Sequence, residues 1–195
     1  MQLDQLIVGC KKQKADCQKL LYKNYYNVLM SICTRYATTT EDAEEMFNNG
    51  FLKIFVHINQ FEGKGSFEGW MKKTMVNTCL DFLKSKHIKS NVLSHSNMEI
   101  NANEDYFDSV LHKQGVYDTN ASLAKWNDVE LQQLFGQLPT LTKTVFNLYV
   151  FENYSHKEIS SELGIAERTS QWHVSNAKKI LMEALQNKNI KIADG

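Results

Sequence analysis

Ser155, Glu158 and Gly164 mark out one helix so closely that they decide most of the local fold of residues 153–185, NYSHKEISSELGIAERTSQWHVSNAKKILMEAL. A Ser followed three residues later by Glu is a reciprocal capping box, Ile159 and Leu163 follow at helical spacing, and Gly164 ends the helix. Plotting the next stretch at ~100° per residue puts Ser170, Val174, Ala177, Leu181 and Leu185 on one buried stripe. Arg168, Gln171, Trp172, Ser175, Asn176 and Lys179 fall on the opposite arc. Two such helices joined by a short turn form a helix-turn-helix. Amides, hydroxyls and guanidinium groups suit base edges, and ammonium groups suit phosphate, so this arc fits a DNA major groove. A solvated amphipathic helix also carries Lys and Gln, and periodicity alone does not separate the two. The outward Trp172 is what a merely solvated face does not need.

The charge distribution points the same way. The chain of 195 residues carries 22 basic and 22 acidic side chains, a net charge of zero. Division along the chain is uneven: residues 71–90 hold five basic side chains (Lys72, Lys73, Lys84, Lys86, Lys89) against Asp81, whereas residues 91–130 are predominantly acidic. Basic patches rather than the average attract phosphate, yet overall neutrality predicts weak DNA binding by the free chain and a larger partner that supplies the rest.

The first half places a second kind of surface on a helix. TTTEDAEEMFNNGFLKIFVHI opens with Thr and acidic residues suited to a helix start, then puts Ala43, Met46, Phe47, Phe51, Ile54, Phe55 and Ile58 on one core face. Glu41, Glu45, Asn48 and Leu52 make an outward ridge at i, i+4, i+7, i+11, as on a helix that docks a partner, although single exposed leucines are also common. In the following NQFEGKGSFEGWMKKTMVNTCLDFLKSK, two glycines around Lys64 make a loop and Ser66 starts a helix. Phe67, Met71, Met75, Thr78 and Phe82 face its core side, and Trp70, Lys73, Asn77 and Lys84 share another face. A ring, an amide and ammonium groups on one stripe suit an unstacked nucleic-acid strand. A core Trp70 with solvated lysines satisfies the same pattern.

Between the halves, from about His87 to Lys125, the chain is rich in Asn, Ser and acids without a sustained period and reads as a flexible polar linker. Pro139, the only proline, is placed to open a helix through Val145, Leu148 and Tyr149. No useful β-alternation occurs, so both halves are expected to be all-α. Cys10, Cys17, Cys33 and Cys79 form no CxxC pair and have no nearby His cluster, which points to incidental buried thiols rather than metal or disulfide roles. No apolar run reaches spanning length, and the N-terminal charges follow a very short apolar patch, the wrong order for a signal peptide; a cytoplasmic protein is expected.

Three stretches in series resemble the extracytoplasmic-function, or group-four, sigma factors of the bacterial sigma-70 family: LYKNYYNVLMSICTRYATTTEDAEEMFNNGFLKIF, FEGKGSFEGWMKKTMVNTCLDFLKSK and LFGQLPTLTKTVFNLYVFENYSHKEISSELGIAERTSQWHVSNAKKIL. The resemblance implies two small helical domains: residues 1–87, binding core RNA polymerase and opening the minus-10 element, and residues 126–187, reading the minus-35 element. Residues 88–125 would be the linker and 188–195 a tail. It further implies that Asp42, Glu45, Asn48 and Leu52 dock polymerase. Glu62, Gly63, Lys64, Gly65, Ser66 and Asn77 would capture a flipped minus-10 base, with Trp70, Lys72 and Lys73 at melting positions. Gln171, Trp172, Ser175 and Asn176 would read the minus-35 element, with Arg168, Lys178 and Lys179 beside them for phosphate.

Departures from the family pattern are Asn48 where Gln is usual, Lys143 where Arg often sits, Trp172 where a small residue is common and Asn176 where Arg is usual. They leave the class intact and make the promoter sequence unreadable by analogy. Partners implied are the bacterial polymerase core, promoter DNA and an anti-sigma factor, for which the linker is long enough to admit a clamp between the domains. No cofactor, metal or small-molecule substrate is expected. A one-component helix-turn-helix regulator is the alternative, against which FEGKGSFEGWMKK argues. An enzyme is not expected: there is no phosphate-binding glycine loop and no metal-spaced His pair, and His156 and His173 have no evident carboxylate relay.

Overall fold

A computed structural model describes the backbone over residues 2–90 and 133–193 and the side chains over 2–86 and 133–184. The linker read at 88–125, the tail and Leu185 of the buried stripe lie outside the described side chains. Every regular element among the described residues is helical, and the chain divides into two compact units, Met1–Asn97 and Met98–Gly195.

The first unit is built from α1 (Leu3–Lys11), α2 (Ala15–Tyr36), α3 (Thr40–His57), a short 3-10 turn (Ile58–Gln60) and α4 (Phe67–Ser90). Thr39 caps α3 by accepting a hydrogen bond from the Asp42 amide at 3.2 Å, and Glu41 and Asp42 complement the positive helix end. Ser66 does the same for α4, accepting from the Gly69 amide at 3.2 Å. The α3 face expected inside is inside, with Ala43, Met46, Phe47, Phe51, Ile54 and Ile58 buried and Phe55 half-buried. On α4 the expected stripe of Phe67, Met71, Met75 and Thr78 is buried, but Val76, Cys79, Leu80 and Leu83 are buried as well, and Phe82 is only half-buried. The reason is that α4 packs against both α2 and α3, so it hides two flanks and a one-stripe wheel is too narrow. All four cysteines are free and buried. Burial, and then the neighbouring Cys17, push the Cys10 thiol up to about 11, which keeps it protonated and inert.

The second unit contains α5 (Thr140–Val150), α6 (His156–Leu163) and α7 (Glu167–Ala193). Pro139 is the N-cap residue of α5, whose Val145 and Leu148 are buried while Tyr149 keeps 38% of its surface exposed. The Ser155–Glu158 capping box is complete, and Gly164 closes α6 in the left-handed conformation at φ 67°, where a side chain would be strained. Leu134, Phe135, Leu138, Phe146, Ala177 and Leu181 form one apolar cluster that seats α7 on α5. Ser170, Val174, Ala177 and Leu181 of the expected stripe are all buried.

Candidate nucleic-acid interface

Three surfaces were expected to act, and each takes a distinct form. On α3, Glu41, Glu45, Asn48 and Leu52 stand outward as one ridge, Leu52 with 63% of its surface exposed. The ridge continues one turn further into Val56, equally exposed at 63%. Asp42 is not part of it. At 9% exposure it turns inward, and its two carboxylate oxygens accept from the Lys86 ammonium at 2.8 and 2.7 Å, joining the start of α3 to the far end of α4. A position one residue from an exposed ridge lies ~100° round the helix, which suffices to bring it against the neighbouring element.

The loop Glu62–Ser66 is exposed throughout, with Gly63 and Gly65 at φ 80° and 87°. An L side chain at either would be strained, and nothing stands within 4 Å of where a Cβ would be. Lys64 pairs with Glu62 at 2.7 Å, a contact between two exposed groups that yields readily to a phosphate. Behind the loop, Phe61 and Phe67 meet edge to face at 5.0 Å, and Trp70 stacks on Phe67 at 5.7 Å and 19°. Trp70 is therefore half-buried rather than fully outward, whereas Lys73 and Asn77 on the same face are exposed. Lys72 pairs with Glu68 at 2.7 Å. With Lys86 held by Asp42, the five lysines counted in residues 71–90 do not all act as open charge, a reduction invisible to a count along the chain.

On α7, Arg168 and Lys179 are exposed, and Gln171, Trp172, Ser175, Asn176 and Lys178 are half-exposed along the same outer side. Beneath them lies a polar layer that periodicity did not reveal. His173, 7% exposed, hydrogen-bonds through Nδ1 to the Thr142 hydroxyl of α5 at 2.9 Å. Ser170, fully buried, pairs with His156 of α6 at 2.9 Å, and the His156 ring stacks on Tyr149 of α5 at 4.4 Å and 14°. A His three residues after a buried Ser on the same helix was the available signal. The wheel places Ser170 inside but gives neither His173 nor the partners on α5 and α6, which only the packing of three helices supplies.

Residues 21–87 match sigma-70 region 2, and residues 128–181 match sigma-70 region 4. The chain belongs to the sigma-70 family. Among its relatives, it is 21% identical over 169 residues to the RNA polymerase sigma-H factor of Pseudomonas aeruginosa, covering 86% of this chain and 85% of that one. It is 24% identical over 170 residues to the ECF RNA polymerase sigma-E factor of Haemophilus influenzae, 86% of each. A solved structure of the sigma factor RpoE with the anti-sigma factor NepR from Bartonella quintana aligns over 86% of this chain and 96% of that chain, with 14% identity and a TM-score of 0.49. The protein is thus an extracytoplasmic-function sigma factor, which joins core RNA polymerase and directs transcription initiation at promoters. Among the described residues, no helix of this sigma factor is long and apolar enough to cross a membrane, and no group of His, Cys, Asp or Glu is arranged to hold a metal ion.

The His173 environment has a measurable consequence for this sigma factor. Burial holds the imidazole down to about 4, below the ordinary 6.5, so between those values the unfolded chain binds a proton that the folded one refuses. The contribution of this group to the stability of the region 4 unit is therefore full above pH 6.5, falls as the pH drops toward 4 and is gone below it. The loss attributable to this group is up to about 3 kcal/mol. Thermal melting of parent and His173→Gln between pH 7 and 4 checks it: the variant's profile should lack this component of the decline.

Proposed function

We propose that the three surfaces divide the work of initiation. Glu45, Asn48 and Leu52 dock core polymerase, with Asp42 holding the docking helix through Lys86. The loop Glu62–Ser66 and Asn77 capture an unstacked minus-10 base, and Trp70, Lys72 and Lys73 support melting. Gln171, Trp172, Ser175 and Asn176 read the minus-35 element while Arg168, Lys178 and Lys179 take phosphate. The observation that carries this reading is that Glu45, Asn48 and Leu52, the loop Glu62–Ser66 with Lys73 and Asn77, and the outer arc of α7 each reach solvent on their own helix face or loop, in the order that region 2 and region 4 require. It acts in the cytoplasm, where its polymerase is, and has no catalytic residues of its own. An anti-sigma factor restrains it, as membership of the sigma-70 family implies.

The test is reconstitution with core polymerase on genomic fragments, followed by footprinting of the selected promoters and transcription of a minus-35 library by variants. Gln171→Ala or Asn176→Ala should cost roughly 1 to 3 kcal/mol at particular minus-35 positions and relax the preference there. Lys179→Ala should weaken all sequences alike and lower the salt slope by about one. An unchanged minus-35 preference after loss of both Gln171 and Asn176 would remove α7 from sequence reading.

A further inference from the structure

The loop Glu62–Ser66 has little of its own to hold it. Its two glycines meet nothing within 4 Å of a Cβ position, and all five residues are exposed. Its placement therefore depends on its ends. At the far end, Ser66 caps α4. At the near end, the ring of Phe61 is held by Phe67, and the carbonyl of Phe61 accepts a hydrogen bond at 2.7 Å from the Lys11 ammonium, fifty residues earlier in the chain. That carbonyl belongs to the same rigid peptide plane as the Glu62 amide, so fixing it sets the direction in which the loop departs.

Lys11 is itself placed with care. It is the last residue of α1, a helix that precedes the residues matched by region 2, and it is half-buried. Two residues before it, Gly9 lets α1 approach α2 so closely that a Cβ there would fall on Cys17, 2.9 Å from its Cβ and nearer still to its sulfur. A larger residue at position 9 would collide with the Cys17 side chain, so the close seating of α1 on α2 that places Lys11 depends on Gly9. The Lys11 side chain thus spans from a tightly registered helix to the first peptide of the loop.

We infer that Lys11 is a positioning residue for minus-10 recognition, bracing the Glu62–Ser66 loop through the Phe61 carbonyl. This rests on the reading of that loop as the base-capturing element. A half-buried ammonium bonding a carbonyl is a charge-assisted bond, among the stronger single contacts available to anchor a loop otherwise open to water. Lys11 acts on the loop and not on the nucleic acid.

The experiment uses reconstituted holoenzyme and a fluorescent single strand carrying the minus-10 segment of a footprinted promoter, alongside copies made abasic at one position each. For the parent, one abasic position should weaken binding far more than the rest. In Lys11→Met, which keeps the apolar stem, that discrimination should shrink by about 3- to 10-fold, with core binding intact and the salt slope unchanged. Lys11→Arg, which restores a donor, should recover most of it. Full discrimination in Lys11→Met would overturn the inference, as would a salt slope lowered by about one, since that marks a phosphate ligand. A parent that ignores abasic substitution at every position would instead overturn the base-capture reading itself, and the inference with it.

Discussion

A Leu52→Asp chain folds as the parent does and fails to bind core polymerase. Leu52 has 63% of its surface exposed on α3, so replacing it removes no core packing, and its melting temperature should stay within a few degrees of the parent's. At a docked interface the same carboxylate is stripped of water with no partner, which costs several kcal/mol, and each 1.4 kcal/mol is about tenfold in affinity. The expected loss is about 100-fold or more, measured by anisotropy of labelled chain titrated with core. The contrast is Phe47→Ala, one residue before the exposed Asn48. Phe47 lies within 5.4 Å of Tyr22 and 5.0 Å of Tyr26, and its truncation should cost about 3–5 kcal/mol of stability. If Leu52→Asp unfolds, or binds core at parental affinity, the ridge is not the docking surface.

Trp70→Ala and Asn77→Ala will both impair promoter opening, but by different physical routes. Asn77 is exposed, and its loss should leave the melting temperature unchanged while reducing permanganate reactivity of promoter thymines. Trp70 stacks on Phe67 and lies 5.8 Å from Phe61, so its removal opens a gap beneath the loop as well as deleting a stacking platform. That variant should lose about 3 kcal/mol or more of stability together with opening. A premelted bubble should rescue Asn77→Ala better than Trp70→Ala, because the bubble supplies the unstacked base but not the displaced loop. Equal opening by parent and both variants would return this face to ordinary packing.

What the sequence made legible follows from how far each signal reaches. Capping of α6 by Ser155 and Glu158, its end at Gly164 and the buried faces of α3 and α7 were readable, since each depends on residues within about two turns. The doubly buried α4 was not, because only the three-dimensional placement of α2 and α3 tells that Val76 and Leu80 are enclosed. The same limit applies to charge. Lys86 and Asp42 are 44 residues apart, as Lys53 and Asp81 are 28 apart, and nothing local reports that they meet. Buried His173, and the partners of His173 and Ser170, are hidden for a different reason: a histidine on an inner face is rare, and Thr142 and His156 sit on other helices.

Those two hidden pairs separate the outer face of α7 from the means by which it is aimed. Turning the helix by a single residue, ~100°, would pull His173 from Thr142 and Ser170 from His156 together, leaving buried polar groups without partners. Apolar contacts through Ala177 and Leu181 are far less particular about rotation than two directional bonds to different neighbours. The angular register of the face proposed to read DNA is thereby decided on its underside, before any DNA arrives. Substitutions at Gln171, Ser175 or Asn176 leave that register untouched, so on the proposed reading the bases recognised can be changed one at a time while the mount that points the helix stays the same.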